Sequence, residues 1–137
     1  MTPRYLLDAN ILSAPLKPDR YVSTAERLEA ERDEVATASV VIHEIRYGAD
    51  LLPARSRRRQ AILAFLEQKV AAIPILPYDL RAAVWHAAER ARLQKIGCTP
   101  PFQDGQIAAI AAVNGLTLVT ANRRDFDGFR GLRVETW

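Results

Sequence analysis

The chain has 137 residues, 49% hydrophobic and 26% charged, which suits one domain with a real core and excludes extended disorder. Its formal net charge is +3, carried mostly by arginine, a balance that admits a polyanionic partner without requiring one. The lone Cys98 excludes an internal disulfide framework and a Cys-rich zinc site, and no apolar stretch reaches membrane-spanning length, so the expectation is a cytoplasmic protein without membrane contact.

Along the chain, short apolar runs alternate with longer helical stretches. Tyr5-Leu6-Leu7 reads as a strand covered on both faces, followed by a loop marked by Pro15 and Pro18. Val22 to Arg32 reads as an amphipathic helix with Val22, Ala25 and Leu28 on one face. Glu34 to Ala38 is a second strand. Ser39 is placed to cap the next helix, which runs to about Leu51. Arg55 to Val70 carries Ile62, Phe65 and Leu66 at helical spacing, with Arg57, Arg58 and Arg59 in its first turns. Ala72 to Leu76 is a third strand, and Pro74 favours an edge position for it. Asp79 is a good cap for a helix with an apolar stripe of Leu80, Val84, Ala87, Ala88 and Ala91, ended by Gly97. After Pro100-Pro101, Gln103 to Val113 is an Ala- and Ile-rich helix stopped by Asn114-Gly115. Leu116 to Thr120 and Leu132 to Glu135 complete the strands.

Such alternation implies parallel pairing through right-handed crossovers: a single three-layer α/β/α domain over residues 1–137, with a central, mostly parallel sheet of four to five strands. Ligands of such sheets bind at the carboxyl ends of the strands. Asp8 ends the first strand, Glu44 lies just over one turn into the helix after the second, Asp104 begins the helix before the fourth, and Asn122 and Asp125 follow the fourth. Taken singly, each acid has an ordinary structural reading: a cap for Asp8, an exposed helical residue for Glu44, a helix-dipole partner for Asp104, a surface ion pair for Asp125. Their joint placement on one rim needs a common cause. Several carboxylates there repel one another unless a cation sits between them, and hard oxygen ligands favour Mg²⁺ or Mn²⁺. On a phosphodiester, such an ion activates water and stabilises the leaving oxygen.

Four segments then carry a resemblance. Leu6-Leu7-Asp8-Ala9-Asn10-Ile11-Leu12, Ser39 to Gly48 around Glu44, Gln103-Asp104-Gly105 running to Ala111, and Val119-Thr120-Ala121-Asn122-Arg123-Arg124-Asp125-Phe126 resemble, in order, the four motifs of PIN-domain nucleases. Size and the Arg46-Tyr47-Gly48 ending are similar to VapC toxins of type II toxin–antitoxin modules. The resemblance implies a Mg²⁺-dependent endoribonuclease, a homodimer, held in check by a cognate VapB-type antitoxin and touching promoter DNA only through it. It implies Asp8, Asp104 and Glu44 as metal ligands, with the fourth position shared between Asn122 and Asp125. Asn10, Ser39, Thr120 and Asn122 are expected to support these ligands. Arg46, Arg123 and Arg124 are the cations near the rim, whereas Arg55 and Arg57 to Arg59 are expected away from it. His43 and His86 receive no chemical role. Ile45, Leu51, Ile62 and Phe65 are expected mostly in the core. Two other readings are a haloacid-dehalogenase-like phosphatase, in which Asp8 would be the nucleophile and Asn10 replaces a second Asp, and a catalytically silent binding module of the same fold.

Overall fold

A computed structural model describes residues 2–137. Five strands form one parallel sheet in the order β3-β2-β1-β4-β5: β1 (Tyr5–Leu7), β2 (Val35–Ala38), β3 (Ile75–Leu76), β4 (Thr117–Val119) and β5 (Arg133–Glu135). Six helices flank it: α1 (Ala9–Leu12), α2 (Val22–Ala30), α3 (Ser39–Asp50), α4 (Arg57–Gln68), α5 (Leu80–Lys95) and α6 (Phe102–Val113). None is long and apolar enough to cross a membrane.

The two central strands explain their own apolar runs. Every residue of β1 is buried, as is every residue of β2, because helices cover both faces. Leu6 pairs with Ala36 on one side and Leu118 on the other. The chain builds outward from β1 to β3, then crosses back to lay β4 on the opposite side of β1. That reversal between β1 and β4 is a topological switch point, where such sheets open a crevice at the strands' carboxyl ends. Helix α6 supplies this crossover and buries Gly105, Ile107, Ala108, Ala109, Ile110 and Ala111. Its small residues let it lie close to its neighbours, and Ile107 and Ile110 join Leu6, Ile11, Leu118 and Phe126 in the fully buried core.

Several expectations shift. The loop assigned after β1 begins with the one-turn helix α1, because Asp8 caps it. Ser39 is not the cap of α3: Ala38 holds that position, and Ser39 is already helical and exposed, with no capping bond. Ser56, by contrast, caps α4 through the Arg59 N–H. The third strand keeps only Ile75 and Leu76, since Val70–Ala72 turns as a 3₁₀ helix and Pro74 has no N–H to donate. It is an edge strand, as Pro74 suggested. Asp79 caps α5 at 3.0 Å from the Ala82 N–H, and Gly97 (φ +79°) and Gly115 (φ +68°) take the left-handed conformations that stop α5 and α6.

The largest difference concerns α5. Its stripe of Leu80, Val84, Ala87, Ala88 and Ala91 faces outward, with Leu80 78% exposed and Val84 63%. The inward face is Ala82, His86 and Leu93, so a histidine ring rather than the aliphatic stripe fills the buried side. Leu51 is also outside the core, 69% exposed, while Ile45, Ile62 and Phe65 are half-buried. Helix α4 buries no residue completely.

Candidate active site

Strand β1 ends at Leu7, and the backbone N–H of Asp8 still bonds the Val119 carbonyl of β4 at 2.9 Å. The Asp8 carboxylate is therefore delivered at the switch point. Its Oδ1 accepts from the Ala9 N–H at 2.8 Å and its Oδ2 from the Thr120 hydroxyl at 2.8 Å. The ordinary reading of Asp8 as a cap holds, then, and does not compete with the chemical one. Thr120 is fully buried and is itself fixed by the Asn122 N–H at 3.1 Å. Its hydroxyl thus links the end of β4 to the Asp8 carboxylate. Asn122 contributes its backbone to that chain rather than its side chain.

Glu44 comes from α3, and the first turn of α6 reaches it: the Gln103 amide donates to Glu44 Oε1 at 2.7 Å. Sequence reasoning did not assign Gln103 a role. The only signal for it was its position beside Asp104 within the third motif. Although Glu44 as a residue is exposed, protein crowds its carboxyl. That desolvation raises its pKa, and the negative charge of Asp8 raises it further, against the Gln103 hydrogen bond and His43, which lower it.

Asp104 stands half-buried in the first turn of α6. Its carboxyl is pushed up to about 6 by burial first, then by the charges of Asp125, Asp8 and Glu44. These four acids, separated by up to 117 positions in the chain, thus share one electrostatic field. Among the described residues none of the four forms an ion pair with Lys, Arg or His. An unneutralised group of carboxylates is chemically suited to a hard divalent cation. As the side chains stand, no three His, Cys, Asp or Glu among the described residues already converge on a single ion. The physical reason is visible in the bonds just given: Asp8 and Glu44 are turned toward Thr120, Ala9 and Gln103, and like charges keep apart without a cation between them. The donor set, hard carboxylate oxygens, fits such an ion.

The remaining expected residues divide. Asn10 is exposed and makes no side-chain hydrogen bond to the Asp8 loop among the described residues; it faces a groove instead. Ser39 has no bond toward the acids either, being an exposed residue of the first turn of α3. Arg46 donates to both Asp50 oxygens at 3.1 Å, and Arg59 reaches the same carboxylate at 3.2 Å, so this pair knits α3 to α4 and does not serve the rim. Arg123 lies 3.9 Å from Asp127, and Arg124 is exposed. Arg58, expected away from the rim, lines the same groove as Glu44. This groove, of about 420 Å³, is also lined by Asn10 and Ser13 near α1, by Lys17, and by Ile45 and Ile62 on α3 and α4. The first turns of α4 are therefore closer to the acids than a linear reading suggests, because α3 and α4 fold back on each other.

The PIN domain family matches residues 5–132. A curated relative from Shigella flexneri, a tRNA(fMet)-specific endonuclease VapC, is 34% identical over 134 residues, covering 98% of each chain. Among solved structures, DNA-bound VapBC from Salmonella typhimurium superposes with a TM-score of 0.82 at 30% identity, covering 98% of each chain. FitAcB from Neisseria gonorrhoeae superposes with a TM-score of 0.80 at 29% identity, covering 95% of each.

Proposed function

The chain belongs to the PIN domain family, and from that premise we propose that it is a divalent-metal-dependent endoribonuclease, the toxin of a type II toxin–antitoxin module, working in the cytoplasm. The observation that carries this reading is the gathering of Asp8, Glu44, Asp104 and Asp125 at the switch point, where among the described residues none of the four has an ion-pair partner. The family match also leaves the phosphatase alternative without support, and the acid cluster argues against a silent module.

Asp8, Asp104 and Glu44 would hold a Mg²⁺ or Mn²⁺ ion, with Asp125 at the open side. Bound there, the ion supplies Lewis-acid activation of water and charge stabilisation at the scissile phosphate. The chain's own residues prepare for this. Thr120 fixes the Asp8 carboxylate through Oδ2, and Gln103 fixes Glu44 through Oε1. The raised pKa of Asp104 means that part of the population carries a proton on that carboxyl near pH 6, which must leave before the oxygen can ligate. The acids themselves do not attack; they orient and hold.

The same negative pocket suits a guanidinium delivered by an antitoxin of the VapB type, which would pair with several carboxylates at once. The groove leading away from Glu44 offers that partner an apolar floor in Ile45 and Ile62. Promoter DNA would be reached only through the antitoxin; the similar VapBC from Salmonella typhimurium is a DNA-bound complex. The outward stripe of α5, Leu80 with Val84, supports a homodimer, since monomers seldom leave such a face open.

The test is cleavage of purified tRNA(fMet), bulk tRNA and ribosomal RNA with Mg²⁺, with Mn²⁺ and with EDTA, mapping the ends. Metal-dependent cuts leaving 5′-phosphate and 3′-hydroxyl are expected. A 2′,3′-cyclic phosphate product, or cleavage indifferent to EDTA, overturns the reading, because that chemistry uses the ribose hydroxyl.

A further inference from the structure

The residue after Asp104 is Gly105, and the structure shows why no side chain stands there. The imidazole of His86, on α5, occupies the space a Cβ would take: a Cβ built on Gly105 would overlap the ring, with Nε2 nearest, Cδ2 at 2.6 Å and Cε1 at 3.1 Å. The two nearest contacts are shorter than real Cβ atoms show, so the ring or the helix would have to move to admit a side chain at this position. His86 is 3% exposed. Its Nδ1 shares a hydrogen bond with the Tyr78 hydroxyl at 2.8 Å, which anchors the ring outside α6, and its ring packs on Phe102 at 4.8 Å between centroids. Burial, then Arg90, lowers its pKa, so the ring packs as a neutral group.

Helix α6 begins without a side-chain cap, since its N-cap residue is Pro101. Its first turn nevertheless carries Gln103, which holds Glu44, and Asp104 itself. Both depend on where that turn sits. We propose that His86, anchored by Tyr78, is a positioning residue: it sets the depth and rotation of the first turn of α6 and thereby places Asp104 and Gln103 for metal binding. This rests on the reading of the acids as a metal centre.

The experiment measures Mn²⁺ affinity by titration calorimetry, alongside thermal unfolding and RNA cleavage, for wild type, His86→Ala, Tyr78→Phe, Gly105→Ala and the His86→Ala/Gly105→Ala double variant. Titrations are run well below each variant's unfolding temperature, so that a purely structural role would leave affinity unmoved. His86→Ala should weaken Mn²⁺ binding about 10-fold or more, as loss of a ligand's support does. Tyr78→Phe should weaken it less while keeping the fold. Gly105→Ala should lose most cleavage, and removing the ring in the double variant should restore at least about tenfold of it, because the overlap is gone. A folded His86→Ala that binds Mn²⁺ within about twofold of wild type overturns the proposal, as does an additive cycle. Should His86→Ala or Gly105→Ala fail to fold, Tyr78→Phe decides by the same affinity criterion. A wild type that neither binds Mn²⁺ nor cleaves RNA removes the parent reading and this one with it; a wild type that does both, matched by the His86 and Tyr78 variants, removes this one alone.

Discussion

Glu89 and Asp104 are both acids on helices of the same packed pair, and their surroundings are opposite. Glu89, on α5, has a side chain only 12% exposed and both oxygens engaged. Arg92 grips it in a two-point bond at 2.7 and 2.9 Å, and the Arg130 N–H donates at 2.6 Å. Arg92 also donates to the Gly128 carbonyl at 2.8 Å, so the clamp fastens α5 to the turn before β5. The Arg92 hydrogen bonds hold the Glu89 pKa below the usual carboxylate range despite its burial. Asp104 has three acids for neighbours and no cation, and its pKa moves the other way, to about 6. A carboxylate whose demands are met within the chain holds the fold together. One whose demands are left open is available to something from outside.

This contrast breaks first at the rim. Asp104→Asn, and likewise Asp8→Asn, should abolish metal-dependent cleavage, by more than the roughly 10–100-fold that loss of a ligand's supporting partner costs. Growth arrest on production of the chain alone should be relieved in both variants, with circular dichroism unchanged. Cleavage surviving in either variant at a tenth of the wild-type rate would place the chemistry elsewhere.

The clamp should answer in the opposite currency of stability. Glu89→Gln removes the charge-assisted bonds and leaves Arg92 half-buried without its partner, so the fold should lose about 1.5–3 kcal/mol, read from the urea midpoint. Cleavage per folded molecule should stay within about twofold, since Glu89 bonds Arg92 and the Arg130 N–H and none of the four acids. A collapse of activity without loss of stability would erase the distinction between the two regions.

Between these extremes stands Thr120→Val. The hydroxyl is buried and its work is to hold Asp8 Oδ2, at 2.8 Å, and to accept from the Asn122 N–H. Removing it frees one Asp8 oxygen and should cost about 10-fold in metal affinity, with cleavage falling in step. If stability falls and affinity does not, Thr120 belongs with the clamp rather than with the rim.

Much of this was legible in the residues, for reasons that are local. Asp8 was readable because a short apolar run ends on it, and Asp104 because it opens the Ala-rich helix before the fourth strand. Both sit where the strand–helix alternation puts a crevice. What escaped was set by packing between distant elements. The Gln103 bond to Glu44 joins α6 to α3 across 59 positions, and no periodicity announces it. Arg58 reached the groove because α4 folds back on α3, a matter of tertiary direction rather than of charge pattern. The stripe on α5 lies outward because apolar spacing alone does not say which way a helix face points, and a histidine, disfavoured by its polarity, took the inner face. Ser39 failed as a cap because α3 starts one residue earlier than its cap chemistry suggested, a shift that propensity alone cannot resolve.

The smallest expected effect is also the one that most directly sets the two regions against each other. Because the folded pKa of Asp104 is raised, the folded chain binds a proton there more readily than the unfolded chain does. The corresponding stability is fully present below the unfolded carboxylate value of 3.8 and is lost as pH rises through about 6. Glu89 has the opposite sign: its contribution is present above the ordinary glutamate value of 4.5 and is lost as pH falls through its lowered folded value. Metal-free wild type and Asp104→Asn should therefore have nearly equal urea midpoints at pH 4, and the variant should become progressively the more stable as pH rises from 4 to about 6, levelling off above that. Solvent screening at a half-exposed group keeps the difference to about 1 kcal/mol at pH 7.5. Adding Mg²⁺ at pH 7.5 should reverse the order, because the ion binds the folded wild type and neutralises the charge that destabilised it. Metal-free curves that stay parallel from pH 4 to 8 would mean that Asp104 does not feel its three acidic neighbours, and the rim would lose the property that separates it from the clamp.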